Sequence, residues 1–137
     1  MKLTTRSRYG LRAMTYIAAN SGTSPIPVTE VADALQLSVD YLEQLVRVLK
    51  KDHFLESVRG VKGGYQLTRP ASEIMVIDLL NTLEGPMWLA DCTQTGDCPA
   101  GNHNCPPRLL IRRMSKAIYQ ELKDETLQDM VDLYLAV

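Results

Sequence analysis

Three cysteines within fourteen positions of the C-terminal half are the side chains of this sequence best suited to chemistry. They are Cys92, Cys98 and Cys105, separated by five and six residues. Thiolates bind transition metals, and an odd trio favours a metal site over disulfides in a reducing compartment. Zinc sites usually take two ligands from one tight turn, so the wider spacing disfavours zinc without excluding it and favours an iron-sulphur cluster. The alternative is a surface loop with incidental thiols.

The elements around these cysteines follow from the hydrophobic pattern. Residues 88–107 have no periodicity and are rich in Gly, Asp, Asn and Pro, which predicts an irregular loop. Pro106-Pro107 suits a helix start, and a long amphipathic helix is predicted after it because apolar residues recur every four positions. These residues are Leu110, Met114, Ile118 and Leu122. Thr126 with Asp129 predicts a capping box and a last short helix.

The N-terminal half predicts a helix-turn-helix. A first helix follows Thr4-Thr5, and two short helices come after a proline-rich loop at residues 24–27. Thr29 is predicted to cap the first of these, which ends near Gln36, and Ser38 is predicted to cap the second. The second helix has an apolar stripe formed by Leu42, Leu45, Val46 and Leu49. Two capped helices about three residues apart are typical of this motif.

A basic hairpin is predicted directly after the helix-turn-helix. Residues 54–58 and 64–67 alternate in hydrophobicity, and the glycines of the five residues between them permit a tight reversal. A helix-turn-helix followed by such a hairpin is a winged helix. Ser72 is predicted to cap a fourth helix with Ile74, Met75, Ile77, Leu80 and Leu83 towards the core, closed at Gly85. The predicted fold class is therefore mainly α, with a small β-hairpin wing.

The predicted second helix of the motif and the hairpin supply candidate DNA contacts. Recognition helices read base edges with their N-terminal part, while basic groups hold phosphates and a wing arginine enters a narrow minor groove. Gln44 suits adenine, Glu43 suits cytosine, and Arg59 lies at the hairpin tip. The full set of candidates is Ser38, Asp40, Tyr41, Glu43, Gln44, Arg47, Lys51, Arg59 and Lys62. A solvated helix face and turn is the alternative interpretation.

Charge and composition agree with a DNA-binding protein that is not an enzyme. Residues 1–71 carry ten Lys or Arg against six Asp or Glu, whereas residues 72–137 carry five against ten, which gives +4 and −5. Neither His53 nor His103 has a recognisable catalytic partner, and no glycine loop matches a phosphate cradle. With no signal peptide or membrane span visible, we expect a cytoplasmic protein.

Several segments resemble one family, the IscR and NsrR type of iron-sulphur winged-helix regulators. The opening MKLTTRSRYGLRAM looks like the family's N-terminal signature, SVDYLEQL at 38–45 like its recognition helix, and VRGVKGGY at 58–65 like its wing. The cysteine loop also falls where the family has its own. The resemblance covers nearly the whole chain.

This resemblance implies a homodimer that binds a two-fold operator and holds a cluster on Cys92, Cys98 and Cys105. The cluster would be 2Fe-2S or 4Fe-4S, with 2Fe-2S favoured, and its state would set DNA affinity. The implied organisation is a winged-helix domain at 1–84, a cluster loop at 85–107, and a dimerisation helix with a short C-terminal helix at 108–137. The regulator would sense iron-sulphur, redox or nitric oxide status. A cluster-free regulator that responds to a protein partner or to thiol oxidation is the alternative.

The sequence departs from the family at the fourth cluster ligand. IscR-like members have a histidine three residues after the last cysteine, where this chain has Arg108, which stays protonated and cannot ligate. NsrR-like members use an acidic residue near the N-terminus of the other subunit, where this chain has Arg6-Ser7-Arg8. His103 remains a candidate for the fourth ligand. An exogenous thiol, water or a group from another subunit are the alternatives.

Overall fold

The computed structural model describes residues 2–86, 88–93 and 105–137. The helices in these ranges are α1 (Thr5–Asn20), α2 (Val28–Leu35), α3 (Val39–Lys51), α4 (Val76–Glu84), α5 (Pro106–Leu122) and α6 (Leu127–Ala136). The strands are β1 (Leu55–Val58) and β2 (Gly64–Leu67), and short 3-10 turns lie at Ala71–Glu73 and Asp91–Thr93. None of the described helices is both long enough and apolar enough to cross a membrane.

One hydrophobic core joins α1, α2, α3, α4 and the start of α6. Apolar residues at helical spacing turn one face of each helix inward, which removes these side chains from water. The largest fully buried ones include Met14, Ile17, Leu42, Leu45, Leu49, Leu79 and Leu127. Because Leu127 belongs to this core, α6 packs back onto the N-terminal half, mainly against α1.

The predicted helix-turn-helix is confirmed, with a correction at the start of α2. Pro27, not Thr29, is the residue before the first helical turn, and its carbonyl accepts from the amide of Val31 at 3.3 Å. A proline fixes φ near the value that a helix entry needs, so α2 begins without a side-chain cap. Gln36 ends α2 in the left-handed conformation, and Ser38 caps α3 as predicted.

The predicted cap of α4 at Ser72 is wrong. Ser72 lies in the 3-10 turn, and α4 begins only at Val76 because the two residues before it are extended. The carbonyl of Ile74 accepts from the amide of Leu127 at 2.8 Å, and Met75 forms an antiparallel bridge with Thr126. This pairing with a segment more than fifty residues away satisfies backbone groups that a longer helix would have used.

The hairpin is antiparallel, with Leu55 opposite Leu67 and Val58 opposite Gly64. Near the turn end of the hairpin, Ile26 exchanges two backbone hydrogen bonds of 2.9 and 2.8 Å with Tyr65 of β2. Gly64 makes this approach possible, since its φ is +154° and a Cβ there would lie 2.2 Å from the Ile26 oxygen. The wing is therefore anchored to the loop before α2.

Candidate nucleic-acid interface and cysteine site

Helix α3 presents a polar stripe to solvent, opposite its buried apolar face. The exposed residues Asp40, Glu43, Gln44, Arg47 and Lys51 recur at three- and four-residue intervals and so share one side of the helix. The buried side is formed by Leu42, Leu45, Val46 and Leu49. Five of the predicted DNA contacts therefore lie together on one accessible surface.

Ser38 and Tyr41 differ from these five because contacts within the chain already hold their side chains. The Ser38 hydroxyl accepts from the Tyr41 amide at 3.2 Å, which caps α3. The Tyr41 ring is half-buried and meets Tyr9 of α1 edge-on, with 6.2 Å between the ring centroids. The Arg12 guanidinium lies 5.3 Å from the centre of the Tyr9 ring, within cation–π range. These contacts fix the first turn of α3 against α1.

Arg59 and Lys62 occupy the exposed tip of the wing. The reversal depends on Gly60 at φ +115° and is closed by a 3.0 Å hydrogen bond from the Gly63 amide to the Gly60 carbonyl. A Cβ at Gly63 would lie 2.1 Å from the Val58 oxygen. The glycines therefore allow the tight reversal at whose tip both Arg59 and Lys62 are exposed.

A side-chain contact ties the wing to the end of α3. Lys50 donates from Nζ to the Ser57 hydroxyl of β1 at 2.8 Å, and across the hairpin Gln66 donates to the Glu56 carboxylate at 2.7 Å. The Lys50–Ser57 contact therefore restricts how the wing can turn relative to α3. Sequence reasoning missed the Tyr9, Arg12 and Ser57 contacts because they join elements distant in the chain.

The cysteine site lies where the 3-10 turn Asp91–Thr93 meets the start of α5. Cys92 is half-buried in that turn, and Cys105 is half-buried at the residue before α5, where its side chain makes no capping hydrogen bond. Arg108 is only 6% exposed, and its Nε donates to the Cys92 carbonyl at 3.0 Å. The turn is also closed by the Thr93 hydroxyl, which donates to the Ala90 carbonyl at 2.6 Å.

Cys98 and His103 fall outside the described residues, so the predicted trio is placed at two of its three positions. Among the residues that are described, no group of three or more His, Cys, Asp and Glu side chains lies close enough to hold a metal ion. The two described thiols are soft donors held on neighbouring elements, and this fits a thiolate-bound iron-sulphur cluster. Arg108 cannot supply a ligand, since a guanidinium has no free lone pair at neutral pH.

Glu84, at the end of α4, holds the N-terminus of α1. Its carboxylate accepts from the Thr4 hydroxyl at 2.7 Å and from the hydroxyl of Ser7, which is completely buried. These hydrogen bonds, with that from Ser7 the strongest, hold the pKa of Glu84 below its ordinary value. This contact joins the start of the chain to the last residue before the segment that leads to the cysteines.

Residues 3–133 match the Rrf2 family, described as iron-dependent transcriptional regulators. This chain belongs to the Rrf2 family. Protein rrf2 of Nitratidesulfovibrio vulgaris is 37% identical over 131 residues, which cover 96% of this chain and 87% of that protein. The transcriptional regulator IscR of Klebsiella pneumoniae strain 342 is 34% identical over 132 residues, covering 96% and 80% of the two chains.

Among solved structures, CymR, the global cysteine regulator of B. subtilis, superimposes with a TM-score of 0.81 at 32% identity, covering 97% of this chain and 98% of that one. The predicted family and winged-helix fold are thereby confirmed. As a member of the Rrf2 family the protein is a transcriptional regulator and not an enzyme, as the sequence predicted.

Proposed function

We propose that this Rrf2-family regulator binds a two-fold DNA operator as a homodimer, with α3 in the major groove and the wing at the flanking minor groove. The observation that carries this proposal is the exposed polar stripe of α3 beside an exposed cationic wing tip. Gln44 and Glu43 would read adenine and cytosine, Arg47, Lys51 and Lys62 would neutralise phosphates, and Arg59 would enter the minor groove. Ser38, Asp40 and Tyr41 would lie at the groove wall.

The homodimer is supported by the apolar face of α5. Leu110 is 54% exposed and Met114 is 45% exposed, although both belong to the apolar stripe of a seventeen-residue helix. A groove of about 880 Å³, bounded by α1, α4, α5 and α6, continues this surface through Ile118 and Leu122. Contiguous exposed apolar surface of this kind is typical of an interface, and a second α5 supplies a matching stripe.

The DNA contacts are tested by selecting an operator from random duplexes and measuring affinity against salt. We expect Gln44→Ala to weaken binding by about tenfold and to relax the preference at one base pair of each half-site. Gln120→Ala, at an exposed position of α5, is the matched control and should leave both unchanged. Equal base preference in the two variants would contradict the proposed reading by α3.

We further propose that Cys92, Cys98 and Cys105 ligate an iron-sulphur cluster, with 2Fe-2S favoured over 4Fe-4S, in a cytoplasmic regulator. The proposal is supported by the half-buried thiols of Cys92 and Cys105 on neighbouring elements and by the relative named IscR. When bound, such a cluster would make the site responsive to iron-sulphur supply, redox state or nitric oxide. The protein's own part is to hold the thiols at the junction between the 3-10 turn and α5, and so to link that junction to the dimer face.

Purification under strict anoxia tests the cofactor. We expect iron and acid-labile sulphide in wild-type protein, and loss of both in Cys98→Ala without loss of the folded winged helix. Ser115→Ala, a substitution of similar size on α5, serves as the control. Colourless wild-type protein, or equal operator affinity of the loaded protein and Cys98→Ala at fixed salt, would contradict cluster control of DNA binding.

A cluster-free regulator that responds to thiol oxidation or to a protein partner is the second candidate. It is favoured by the likeness to CymR, named as a cysteine regulator, and by the presence of Arg108 where a fourth ligand would stand. In that case purified protein would contain reactive thiols and no iron, and mild oxidants would change its operator affinity. The same anoxic preparation therefore distinguishes the two candidates.

A further inference from the structure

The charged side chain of Arg108 is buried, which is unusual for an arginine. It is 6% exposed and lies in the first turn of α5, three residues after Cys105. Its Nε–H group donates to the carbonyl of Cys92 at 3.0 Å. The guanidinium therefore connects the backbone of Cys92 to α5, the helix that begins directly after Cys105.

The buried guanidinium of Arg108 and the start of α5 both contribute positive potential beside the Cys92 turn. Burial removes the guanidinium from water, and the first turn of a helix already carries the positive end of the helix dipole. The positive potential at the start of α5 thus favours a negatively charged group near the Cys92 turn.

We propose that Arg108 is a positioning residue of the cysteine site with two separable roles. Its Nε–H donor ties the Cys92 turn to α5, and its charge offsets the negative charge that thiolates and sulphides bring to an iron-sulphur cluster. This inference rests on the cofactor proposed above and assigns a role to a residue that cannot itself be a ligand. A planar guanidinium suits both roles because it keeps four further N–H groups after donating from Nε.

Three substitutions at this one position separate the donor from the charge. Glutamine places an amide nitrogen at the same number of bonds from the backbone as arginine Nε, so Arg108→Gln keeps the donor and removes the charge. Lysine places a methylene there, so Arg108→Lys keeps the charge and removes that donor. Arg108→Met removes both. Arg113→Gln, at an exposed arginine on another side of α5, controls for overall charge.

The charge is tested in anaerobically prepared protein by a redox titration followed by visible absorption. Reduction adds negative charge, which a nearby cation stabilises, so we expect lower midpoint potentials in Arg108→Gln and Arg108→Met. Arg108→Lys and Arg113→Gln should stay close to wild type. If a variant loses its cluster too fast for titration, the rate of iron loss replaces the potential, with faster loss expected in the same two variants.

The tether is tested in metal-free protein by hydrogen exchange of the Thr93 amide, which donates to Ala90 at 3.0 Å and reports the order of the turn. We expect exchange about tenfold faster in Arg108→Lys and Arg108→Met, because a hydrogen bond to a charged group is lost, and near-wild-type exchange in Arg108→Gln.

Equal potentials in Arg108→Gln and Arg113→Gln would overturn the role of the charge, and unchanged exchange in Arg108→Met would overturn the tether. Wild-type protein without iron and sulphide would overturn both the proposed cofactor and the role of the charge. The exchange measurement would still decide the tether, because it needs no cofactor.

Discussion

Helices α3 and α5 are both amphipathic, but the apolar face of α3 is buried and that of α5 is partly exposed to solvent. The apolar face of α3 is completely covered by its own chain, and its exposed face is polar. Helix α5 exposes Leu109, Leu110, Met114 and Tyr119, while its one buried residue is Arg108. The apolar face of α3 is thus fully packed within one chain, whereas the face of α5 next to the cysteines leaves an apolar surface that a second chain can cover.

The largest effect is expected from Met114→Asp, which places a carboxylate on the apolar face of α5. We expect sedimentation velocity to show a shift from dimer to monomer. Operator affinity should fall by about a hundredfold or more, because two half-sites are then no longer bound by linked modules. Gln120→Asp, on a polar part of α5, should remain dimeric. A dimeric Met114→Asp protein would place the interface elsewhere.

Gly64→Ala should instead destabilise the N-terminal half, where β2 packs on the loop before α2. The new Cβ would meet the backbone oxygen of Ile26 at 2.2 Å, so the wing must detach from its anchor. We expect urea unfolding to show a loss of about 2 kcal/mol or more. Gly22→Ala has the strain of a positive φ of +44° but meets nothing within 4 Å, and should lose only about 1 kcal/mol. Equal losses would mean that strain, not collision, governs Gly64.

Glu84→Gln tests the contact between α1 and the end of α4. We expect a loss of about 1 kcal/mol at pH 7, since the carboxylate accepts hydrogen bonds from Thr4 and Ser7. A lowered pKa means that this stabilisation is complete above the ordinary value of 4.5 and is lost as the pH falls through the lowered pKa. The gap between variant and wild type in thermal unfolding should therefore close in acid. Glu73→Gln, at an exposed carboxyl, should show no such gap.

Ser57→Ala should have the smallest effect. It removes the acceptor of the Lys50 ammonium, an exposed contact worth only about 0.5 kcal/mol. We expect less than about a threefold change in operator affinity and no change in oligomeric state. A larger loss of affinity, with unchanged stability, would show that Lys50 and Ser57 set the angle between α3 and the wing.

The sequence predicted those elements whose cause is local. The period of the α3 stripe, the Ser38 cap, the glycines of the wing and the capping box at Thr126 each depend on residues within a few positions of one another. The polar stripe of α3 followed directly, because residues opposite a buried face must be exposed. The exposed candidates for DNA contact were therefore found without a structure.

The sequence could not predict features that depend on distant partners. Ser72 has the chemistry of a helix cap, but pairing of Ile74 and Met75 with the turn before α6 moved the start of α4 to Val76. Tyr41 was expected to be exposed, yet Tyr9 of α1 half-covers it. Burial of Arg108 likewise follows from how the Cys92 turn packs on α5, and no local pattern indicates it.

The bridge between Met75 and Thr126 has a mechanical consequence for α5. It holds the chain just beyond Leu122, where the amide of Val76 also donates to the Glu125 carbonyl at 2.9 Å. The seventeen residues of α5 span about 25 Å, so a rotation about the held end would move the Cys105 end the farthest. A tilt of α5 by about 5° about its C-terminal end would move its N-terminal end, next to Cys105, by about 2 Å. If the proposed cluster is bound at the cysteines, a change there would therefore move the end of α5 that is farthest from the Met75–Thr126 bridge.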